Sequence, residues 1–194
     1  MAERTVGEPS AAQRDAALMR RVAAGDGAAA REVVGHYLAP ALGLARRILN
    51  DSAEAEDVAQ EAMLRLWQMA ARWRDDAPIG AWLYRVAHNL AIDRIRRRRG
   101  TTGLEAADAV PDPSPSPAEN MAREQQAALV DAAIGRLPER QRAAITLVHH
   151  LEMGNIEAAA VMEISVEALE SLLARARRSL RAELTELRKE LVGE

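Results

Sequence analysis

Cysteine and phenylalanine are both absent from the 194-residue sequence. Without cysteine, the chain can form neither disulfide bonds nor thiolate zinc sites. No apolar run approaches the roughly 20 residues that a membrane-spanning helix requires, and the N-terminus lacks the charged and apolar blocks of a secretory signal peptide. These absences exclude a disulfide-stabilised secreted domain and an integral membrane protein, and they predict a soluble protein of the cytoplasm.

Aromatic residues are few, and all of them precede residue 85. They are Tyr37, Trp67, Trp73, Trp82 and Tyr84. A length of 194 residues is enough for two small domains. The uneven distribution of aromatic residues therefore favours two separately packed halves.

Charge is also distributed unevenly, although the net charge is only −3. Residues 1–100 hold 16 arginines and 13 acidic residues, whereas residues 101–194 hold 10 basic and 16 acidic residues. The overall charge does not indicate a nucleic-acid-binding protein. Any contact with nucleic acid must therefore come from local basic patches.

Apolar residues recur at helical spacing through most of the chain, without the alternation typical of β-strands. In the first half, this spacing predicts helices at about 11–24, 28–49, 53–71 and 79–99. Asp26 is the expected N-cap of the second helix. The fold predicted for this half is a small helical bundle.

A proline-rich segment separates the two halves. Residues 100–120 contain Pro111, Pro113, Pro115 and Pro117 among serines and acidic residues, a composition typical of an extended linker. Helical spacing resumes at about residue 121. We therefore predict an all-α protein with one domain at 1–99, a flexible acidic linker at 100–120 and a second domain at 121–194.

The fourth predicted helix has a strongly basic side. Its apolar residues lie along one face, whereas the other face carries Arg85, His88, Asn89 and Arg96 and runs into four consecutive arginines. Hydrogen-bonding and cationic groups opposite a buried stripe suit a helix that lies along a polyanion. The alternative is a core helix that ends in a solvated basic tail, which also suits the negative end of the helix dipole.

The second half contains the pattern of a helix-turn-helix. A short helix at about 156–162 is followed by a break at Glu163–Ser165 and then by a long helix capped by Ser165. Four apolar residues are expected to hold the two helices together: Ile156, Ala160, Ile164 and Leu169.

The outward positions of the second helix are Glu167, Ala168, Glu170, Ser171, Ala174, Arg175, Arg177 and Arg178. Ser171 or Glu170 would read base edges and the arginines would contact phosphates, but two helices joined by a short turn also occur as simple packing units.

Two further features have both a structural and a functional interpretation. On the third predicted helix, Asp57, Gln60, Glu61 and Leu64 share the face opposite the apolar stripe. This face is either ordinary solvated surface or a docking surface for a basic partner helix. Trp73, which lies between two arginines, either stacks on an unpaired base or packs against the helical core.

The sequence offers no candidate for catalysis. Paired carboxylates such as Glu56 and Asp57 point in different directions on a helix, and no phosphate-binding glycine loop is present. His149 and His150 are adjacent and therefore poorly placed as a pair of metal ligands. We predict no enzymatic activity, no cofactor and no metal site.

Several motifs resemble the sigma-70 family of RNA polymerase initiation factors. The σ2 domain is resembled by Glu56–Glu61, Leu64–Trp67 and Ala81–Asn89. The σ4 domain is resembled by Leu137–Arg142, Ser165–Ser171 and Arg175–Arg178. Two domains joined only by a linker are similar to the small extracytoplasmic-function (ECF) group, and the match covers nearly the whole chain in order.

This resemblance implies a role for each feature. Asp57, Gln60, Glu61 and Leu64 would dock on the clamp helices of the polymerase β′ subunit. The residues implied at the −10 promoter element are Trp73, Arg74, Arg85, Asn89, Arg94, Arg96 and Arg97. Trp73 and Asn89 match positions that hold a flipped base, and Arg85 and the arginines of Arg94–Arg99 would hold the backbone of that strand.

The σ4 domain is expected to read the −35 element and to bind the flap of the β subunit. The residues implied at the −35 element are Ser165, Glu167, Glu170, Ser171, Ala174, Arg175 and Arg178. The acidic linker would pass near the active-site channel of the polymerase. A cognate anti-sigma factor is the expected regulator of a protein in this group.

The sequence departs from the family pattern at several positions. Ala30, Met63 and Ile79 stand where aromatic residues are usual, so the σ2 core must pack differently. Glu163 replaces the usual glycine of the σ4 turn, which costs on the order of 1 kcal/mol if the backbone there is left-handed. Glu170 replaces a frequent arginine, so the promoter sequence cannot be transferred from relatives.

Two alternative functions follow from the same residues. A freestanding helix-turn-helix regulator would bind palindromic duplex DNA as a dimer, without polymerase. A sigma mimic would sequester an anti-sigma factor, but such a mimic needs an attached regulatory module for which this chain has no residues. The ECF sigma factor is the main prediction, because it uses both halves of the chain.

Overall fold

The computed structural model describes residues 10–74, 77–101 and 129–192, without the side chains of 100–101 and 186–192. Residues 102–120 of the predicted linker lie outside the described residues, together with the start of the predicted second domain, whereas residues 100 and 101 are helical. The secondary structure that is described is helical, which confirms the all-α fold class.

Four helices form the first half, and we call them the N-terminal unit. They are α1 (Ala11–Ala23), α2 (Gly27–Leu49), α3 (Ser52–Met69) and α4 (Ile79–Thr101), with a 3-10 turn at Ala70–Arg72 between the last two. The helix spacing read from the sequence is thus confirmed to within about two residues at each described boundary.

Side-chain caps fix the starts of the first three helices. The carboxylate of Asp26 accepts hydrogen bonds from the backbone N–H groups of Ala28 and Ala29 at 2.8 and 3.2 Å, which confirms it as the N-cap of α2. These backbone hydrogen bonds, followed by the contact with Arg21, hold the pKa of Asp26 below its usual value. Asp51 caps α3 in the same way, and Ser10 caps α1. Each cap satisfies an N–H that the helix itself leaves unpaired.

The core of the N-terminal unit is aliphatic. Its fully buried side chains come from all four helices and include Met19, Val33, Leu44, Ile48, Val58, Leu66, Ile79 and Leu83. The aromatic side chains lie around this core and are only half-buried. An aliphatic core with aromatic residues at its margin agrees with the departures from the family pattern at Met63 and Ile79.

The second half forms what we call the C-terminal unit. Residues 129–135 are helical, and α5 (Glu139–Ile145) continues into a π-helical turn at Thr146–His150. The helix-turn-helix then follows as α6 (Asn155–Val161) and α7 (Val166–Val192). Its core is built around Leu147, Val161 and Leu169.

The packing inside the helix-turn-helix differs from the prediction. Leu169 is fully buried and Ile164 half-buried, as expected, but Ile156 is 78% exposed and Ala160 is also exposed. Helix α6 begins at Asn155, one residue before the predicted start. Its inward face is therefore formed by Ala158, Ala159, Val161 and Met162.

The two units share one apolar cluster, which differs from the separately packed halves expected from the aromatic distribution. At the end of α2, the guanidinium of Arg142 donates to the carbonyl oxygen of Ile48 at 2.9 Å. The amide of Asn50 donates to the carbonyl oxygen of Gly135 at 3.3 Å, and a Cβ at Gly135 would lie 3.2 Å from Asn50 Oδ1. A side chain at position 135 would therefore push the Asn50 amide away by a few tenths of an ångström. The units also touch along α4, which packs against α6.

No helix within 10–74, 77–101 and 129–192 is both long enough and apolar enough to cross a membrane.

Candidate functional site

The predicted docking stripe lies together on the outer face of α3. Asp57 and Gln60 are exposed, Leu64 is 55% exposed, and Glu61 is half-buried. The opposite face of the same helix carries the buried residues Ala55, Val58, Ala59, Ala62, Met63 and Leu66. Leu64 is thus a large apolar side chain held in water among acidic and amide groups, a composition typical of a surface that binds a partner helix.

Two members of this stripe are engaged in ion pairs. Glu61 pairs with Arg65 one turn later at 2.8 Å, and Asp57 Oδ2 lies 3.3 Å from Arg94 Nη1 on α4. The same Arg94 nitrogen donates to the carbonyl oxygen of Glu54 at 3.1 Å. Arg94, which sequence reasoning assigned to the −10 element, is therefore directed toward α3 in this structure.

Trp73 packs against the N-terminal unit. Its ring meets the ring of Trp82 edge to face, with centroids 5.8 Å apart and planes at 78°. The indole N–H is buried and has no hydrogen-bond partner within the described ranges. This packing agrees with the structural interpretation of Trp73, and Arg74 beside it is exposed.

Asn89 lies on the side of α4 that meets the C-terminal unit. Its amide Nδ2 donates to Glu163 Oε1 at 3.2 Å, and its Oδ1 lies 3.0 Å from Nδ1 of His88. His88 was expected on an outward face, and that expectation is wrong because the C-terminal unit packs on α4 and leaves His88 only 7% exposed. Burial lowers the pKa of His88, against the opposing effects of Asn89 and Glu163.

The arginines at the end of α4 have mixed surroundings. Arg96 pairs with Asp93 on the same helix, and Arg98 pairs with Glu54 of α3 at 3.0 Å. Arg99 forms a two-pronged contact with Glu139 of α5, at 2.7 and 3.3 Å. Arg85 and Arg97 are exposed. Helix α4 is thus basic, as predicted, but several of its cations already face carboxylates.

Helix α7 presents the outward row that the sequence predicts. The eight residues named for this row are all exposed. Ser165 is confirmed as the cap, because its Oγ accepts from the backbone N–H of Ala168 at 3.2 Å. The backbone N–H of Glu167, followed by the Ser165 hydroxyl, holds the pKa of the Glu167 carboxyl below its usual value.

Polar contacts hold part of this row in place. Arg175 donates to the carbonyl and hydroxyl oxygens of Ser171, both at 3.2 Å. Glu170 accepts from the amide of Asn155 at 3.4 Å. Asn155, at the start of α6, was not singled out from the sequence, although its position at a helix start could have signalled a role.

Within the described part of the chain, His, Asp and Glu side chains form no group of three that could hold a metal ion.

Comparison with known proteins identifies both units. Residues 17–101 match the family model described as Sigma-70 region 2, and residues 127–180 match the model described as Sigma-70, region 4. RNA polymerase sigma-H factor of Pseudomonas aeruginosa is 32% identical over 188 residues, covering 92% of this chain and 97% of that protein. The chain belongs to the sigma-70 family. Its relatives include the ECF RNA polymerase sigma factor SigW of Bacillus subtilis, which is 29% identical over 179 residues and covers 87% of this chain and 96% of SigW.

Solved structures agree with this assignment. The structure of CnrH in complex with the cytosolic domain of CnrY is similar with a TM-score of 0.63 and 26% identity, covering 89% of this chain and 97% of CnrH. The sequence of CnrH from Cupriavidus metallidurans is 30% identical over 177 residues, covering 87% of this chain and 93% of CnrH. The sigma factor RpoE of Bartonella quintana, in complex with the anti-sigma factor NepR, has a TM-score of 0.64 at 20% identity over 80% of this chain and 96% of RpoE, and shows the shared fold.

The protein is therefore an ECF sigma factor, a transcription initiation factor that directs core RNA polymerase to specific promoters.

Proposed function

We propose that the N-terminal unit serves as σ2, within residues 1–99, and that the C-terminal unit serves as σ4, within residues 121–194, with residues 100–120 as the linker. The matched family regions and the helical units agree with this division. Linking two modest binding units gives avidity for a bipartite promoter without a very tight site in either.

The docking stripe of α3 is the proposed contact with core polymerase. Asp57, Gln60 and Glu61 supply acidic and amide groups around the exposed side chain of Leu64. This combination suits a basic partner helix with an apolar pocket, and we propose the β′ clamp helices as that partner. The C-terminal unit is proposed to hold the β flap.

The −35 element is the proposed target of α7. The observation that carries this proposal is the exposed outward row of a capped helix that follows a tight turn, with Arg175, Arg177 and Arg178 at the far end of the row. The N-terminal turns of such a helix reach base edges and the arginines reach phosphates. Glu170 and Ser171 are the proposed base readers, with Ser165, Glu167 and Ala174 beside them.

The −10 element is the proposed target of α4 and the preceding loop. Asn89 and Trp73 would hold an unpaired base, with the strand backbone along Arg74, Arg85, Arg96 and Arg97. Unpaired bases held in this way favour the melted promoter. Arg94 is the weakest member of this set because its guanidinium is directed to α3.

Regulation by an anti-sigma factor is also proposed. The relative CnrH has been solved with the cytosolic domain of CnrY bound, and this chain shares its fold over most of its length. We place the protein in the cytoplasm with polymerase and assign it no catalytic activity of its own.

The affinity for purified core polymerase, measured alongside run-off transcription, tests the docking proposal. Replacing Leu64 with Ala should weaken core binding roughly tenfold, since a central apolar anchor contributes about 1–2 kcal/mol. Val34→Ala is the matched control, because Val34 is also exposed (38%) but lies on α2 outside the stripe. Equal core binding by both variants would contradict the proposed stripe.

The same experiment separates the alternative function. A freestanding regulator would bind a palindromic duplex and leave initiation by core polymerase unchanged. Promoter-dependent initiation that requires this protein supports the sigma factor.

A further inference from the structure

Helix α1 supplies the hydrogen-bond acceptor at the start of α4. The carboxylate Oδ2 of Asp15 accepts from the backbone N–H of Ile79, the first residue of α4, at 2.7 Å. The N–H groups of a first helical turn have no partner within their own helix, and Ala77 and Pro78, directly before α4, carry no side chain that could accept a hydrogen bond. Asp15 therefore caps α4 from a position 64 residues earlier in the chain.

The other carboxylate oxygen of Asp15 is held by Tyr37 of α2. The Tyr37 hydroxyl donates to Asp15 Oδ1 at 3.1 Å. Burial, followed by the charge of Asp15, raises the pKa of Tyr37, so this hydroxyl keeps its proton and remains a donor at physiological pH. Because each oxygen of the carboxylate has its own donor, Asp15 joins α1, α2 and α4 at one point in a defined orientation.

Helix α1 also holds the opposite end of the segment that precedes α4. The 3-10 turn Ala70–Arg72 packs against α1, and the backbone N–H of Trp73 donates to the carbonyl oxygen of Ala70 at 3.3 Å. The ring of Trp73 then meets that of Trp82, in the first turn of α4. Both ends of segment 73–78 are therefore fixed on α1, and the two tryptophans join one end to the other.

This arrangement bears on the −10 element, because Trp73 is one of the two residues proposed above to hold an unpaired base. A side chain that receives a base has to be held close to one geometry, since small displacements in a pre-organised site lose much of the interaction. A shift at the start of α4 would move Trp82, and Trp73 would lose the ring against which it packs. Helix α1 itself carries none of the residues proposed to contact DNA or core polymerase.

We propose that Asp15 is a positioning residue for promoter melting, which fixes the start of α4 on α1 and so holds Trp73 in the geometry that receives an unpaired base of the −10 element. This inference rests on the proposed −10 role of Trp73. Asp15 acts through Trp73 and not by touching DNA. Its removal therefore impairs melting and leaves core binding and duplex recognition by α7 unchanged.

Promoter melting by the holoenzyme, the full-length protein with purified core polymerase, tests this proposal. The probe is a duplex selected from a random-sequence library by run-off transcription with the wild-type holoenzyme. It carries 2-aminopurine in place of an adenine of its −10 element, so that fluorescence rises when this base unpairs. Asp15→Ala should lower the equilibrium constant for melting about threefold to tenfold, the effect of losing a cap and one further hydrogen bond. Asp15→Asn keeps an acceptor for the Ile79 N–H and should restore most of the loss.

A matched variant separates positioning from a general loss of stability. Ala17→Gly removes an exposed methyl group from the interior of the same helix. It should lower the melting temperature of the protein about as much as the loss of a cap does, but it leaves Asp15 in place and should leave promoter melting at the wild-type level. Both variants should bind core polymerase like the wild type, because the docking stripe lies on α3. Equal promoter melting by Asp15→Ala and Ala17→Gly would overturn the proposal.

Trp73→Ala distinguishes failure of this inference from failure of the −10 role itself. If Asp15 acts through Trp73, adding Asp15→Ala to Trp73→Ala should cause no further loss of melting, and an additive loss would overturn this route. Wild-type melting by Trp73→Ala would overturn the proposed −10 role of Trp73 and the inference with it. Impaired melting by Trp73→Ala beside wild-type melting by Asp15→Ala would overturn the inference alone.

Discussion

Helices α4 and α7 are the two proposed promoter-binding helices, and they differ in what their polar faces meet. The outward row of α7 faces solvent along its first turns. On α4, by contrast, Asn89 and Arg99 meet carboxylates of the C-terminal unit, and Arg94 meets α3. A σ4 helix with a free face needs no rearrangement to meet duplex DNA. On α4, the contacts at Asn89 and Arg99 have to break before these two side chains can bind a strand.

The two proposed targets also differ in when they become available. Duplex −35 DNA is present before melting, whereas the −10 strand becomes available only when base pairs open. The contacts of Asn89 and Arg99 engage only part of the polar face of α4, because Arg85, Arg96 and Arg97 stay exposed. The comparison therefore separates a helix whose outward row faces solvent from one whose polar face is engaged by the other unit at two positions.

The largest expected effect is that of Leu169→Ala on the free energy of unfolding, and it shows whether the two units unfold together. Leu169 is fully buried at the base of α7, so Leu169→Ala should lower the free energy of unfolding by about 2–5 kcal/mol. All three tryptophans lie in the N-terminal unit, so their fluorescence reports that unit alone, whereas far-UV circular dichroism reports both. If the shared apolar cluster couples the units, both signals should shift together.

Leu83→Ala on α4 is the matched control, because Leu83 is equally buried in the N-terminal unit. It should shift the fluorescence transition directly. A Leu169→Ala protein whose dichroism shifts while its fluorescence does not would show that the units unfold separately, and the covered state of α4 would then carry little energy.

The sequence predicts the positions of the helices better than it predicts the contacts between the two units. Helix starts depend on local signals, so Asp26 and Ser165 were identified as caps from their own neighbourhoods. The outward row of α7 also follows from spacing along one helix. The burial of His88 and the pairing of Asn89 with Glu163 do not, because they depend on contacts 74 residues apart in the chain. Only Glu163 is recognisable from the sequence as unusual, because it replaces the usual glycine of the σ4 turn.

Substitutions of Ser165 have the next largest expected effect, and they separate its role as a helix cap from a role as a DNA contact. Ser165→Ala should lower stability by about 1 kcal/mol, because the N–H of Ala168 loses its partner. Ser165→Asp should keep the cap and restore most of this stability, while it adds negative charge near the proposed phosphate contacts. Thermal melting measures the first effect, and titration of a −35 duplex measures the second. If Ser165→Ala melts like the wild type, the hydroxyl does not stabilise α7.

Arg94 and Arg178 offer a comparable test between the two helices. Arg94 donates to the carbonyl oxygen of Glu54 and pairs with Asp57, so Arg94→Ala should lower stability by up to about 1 kcal/mol. Arg178 is exposed, so Arg178→Ala should leave the melting temperature unchanged. It should instead weaken duplex binding and reduce the salt dependence of that binding by about one phosphate contact. The opposite pattern would reverse the assignment of the two arginines.

The smallest expected effect is a pH dependence of the packing of the C-terminal unit on α4, which we call the closed form, and it involves His88. Burial lowers the pKa of His88 in the closed protein, and Arg140 adds to this, whereas Asn89 and Glu163 oppose it. When the units separate, the pKa returns toward its ordinary value of 6.5. The open form therefore binds more protons, so acidification through this range should favour opening.

Energy transfer between fluorophores on Gln68→Cys and Ser179→Cys, both exposed positions, should accordingly fall as the pH drops below neutrality. His88→Gln should reduce this dependence without removing it. His150 contributes with the same sign, because burial, followed by the charge of Arg47, lowers its pKa as well. A His88→Gln protein that keeps the full pH response would show that His88 does not sense the separation of the units, and the response would then belong to His150 at the other end of the contact.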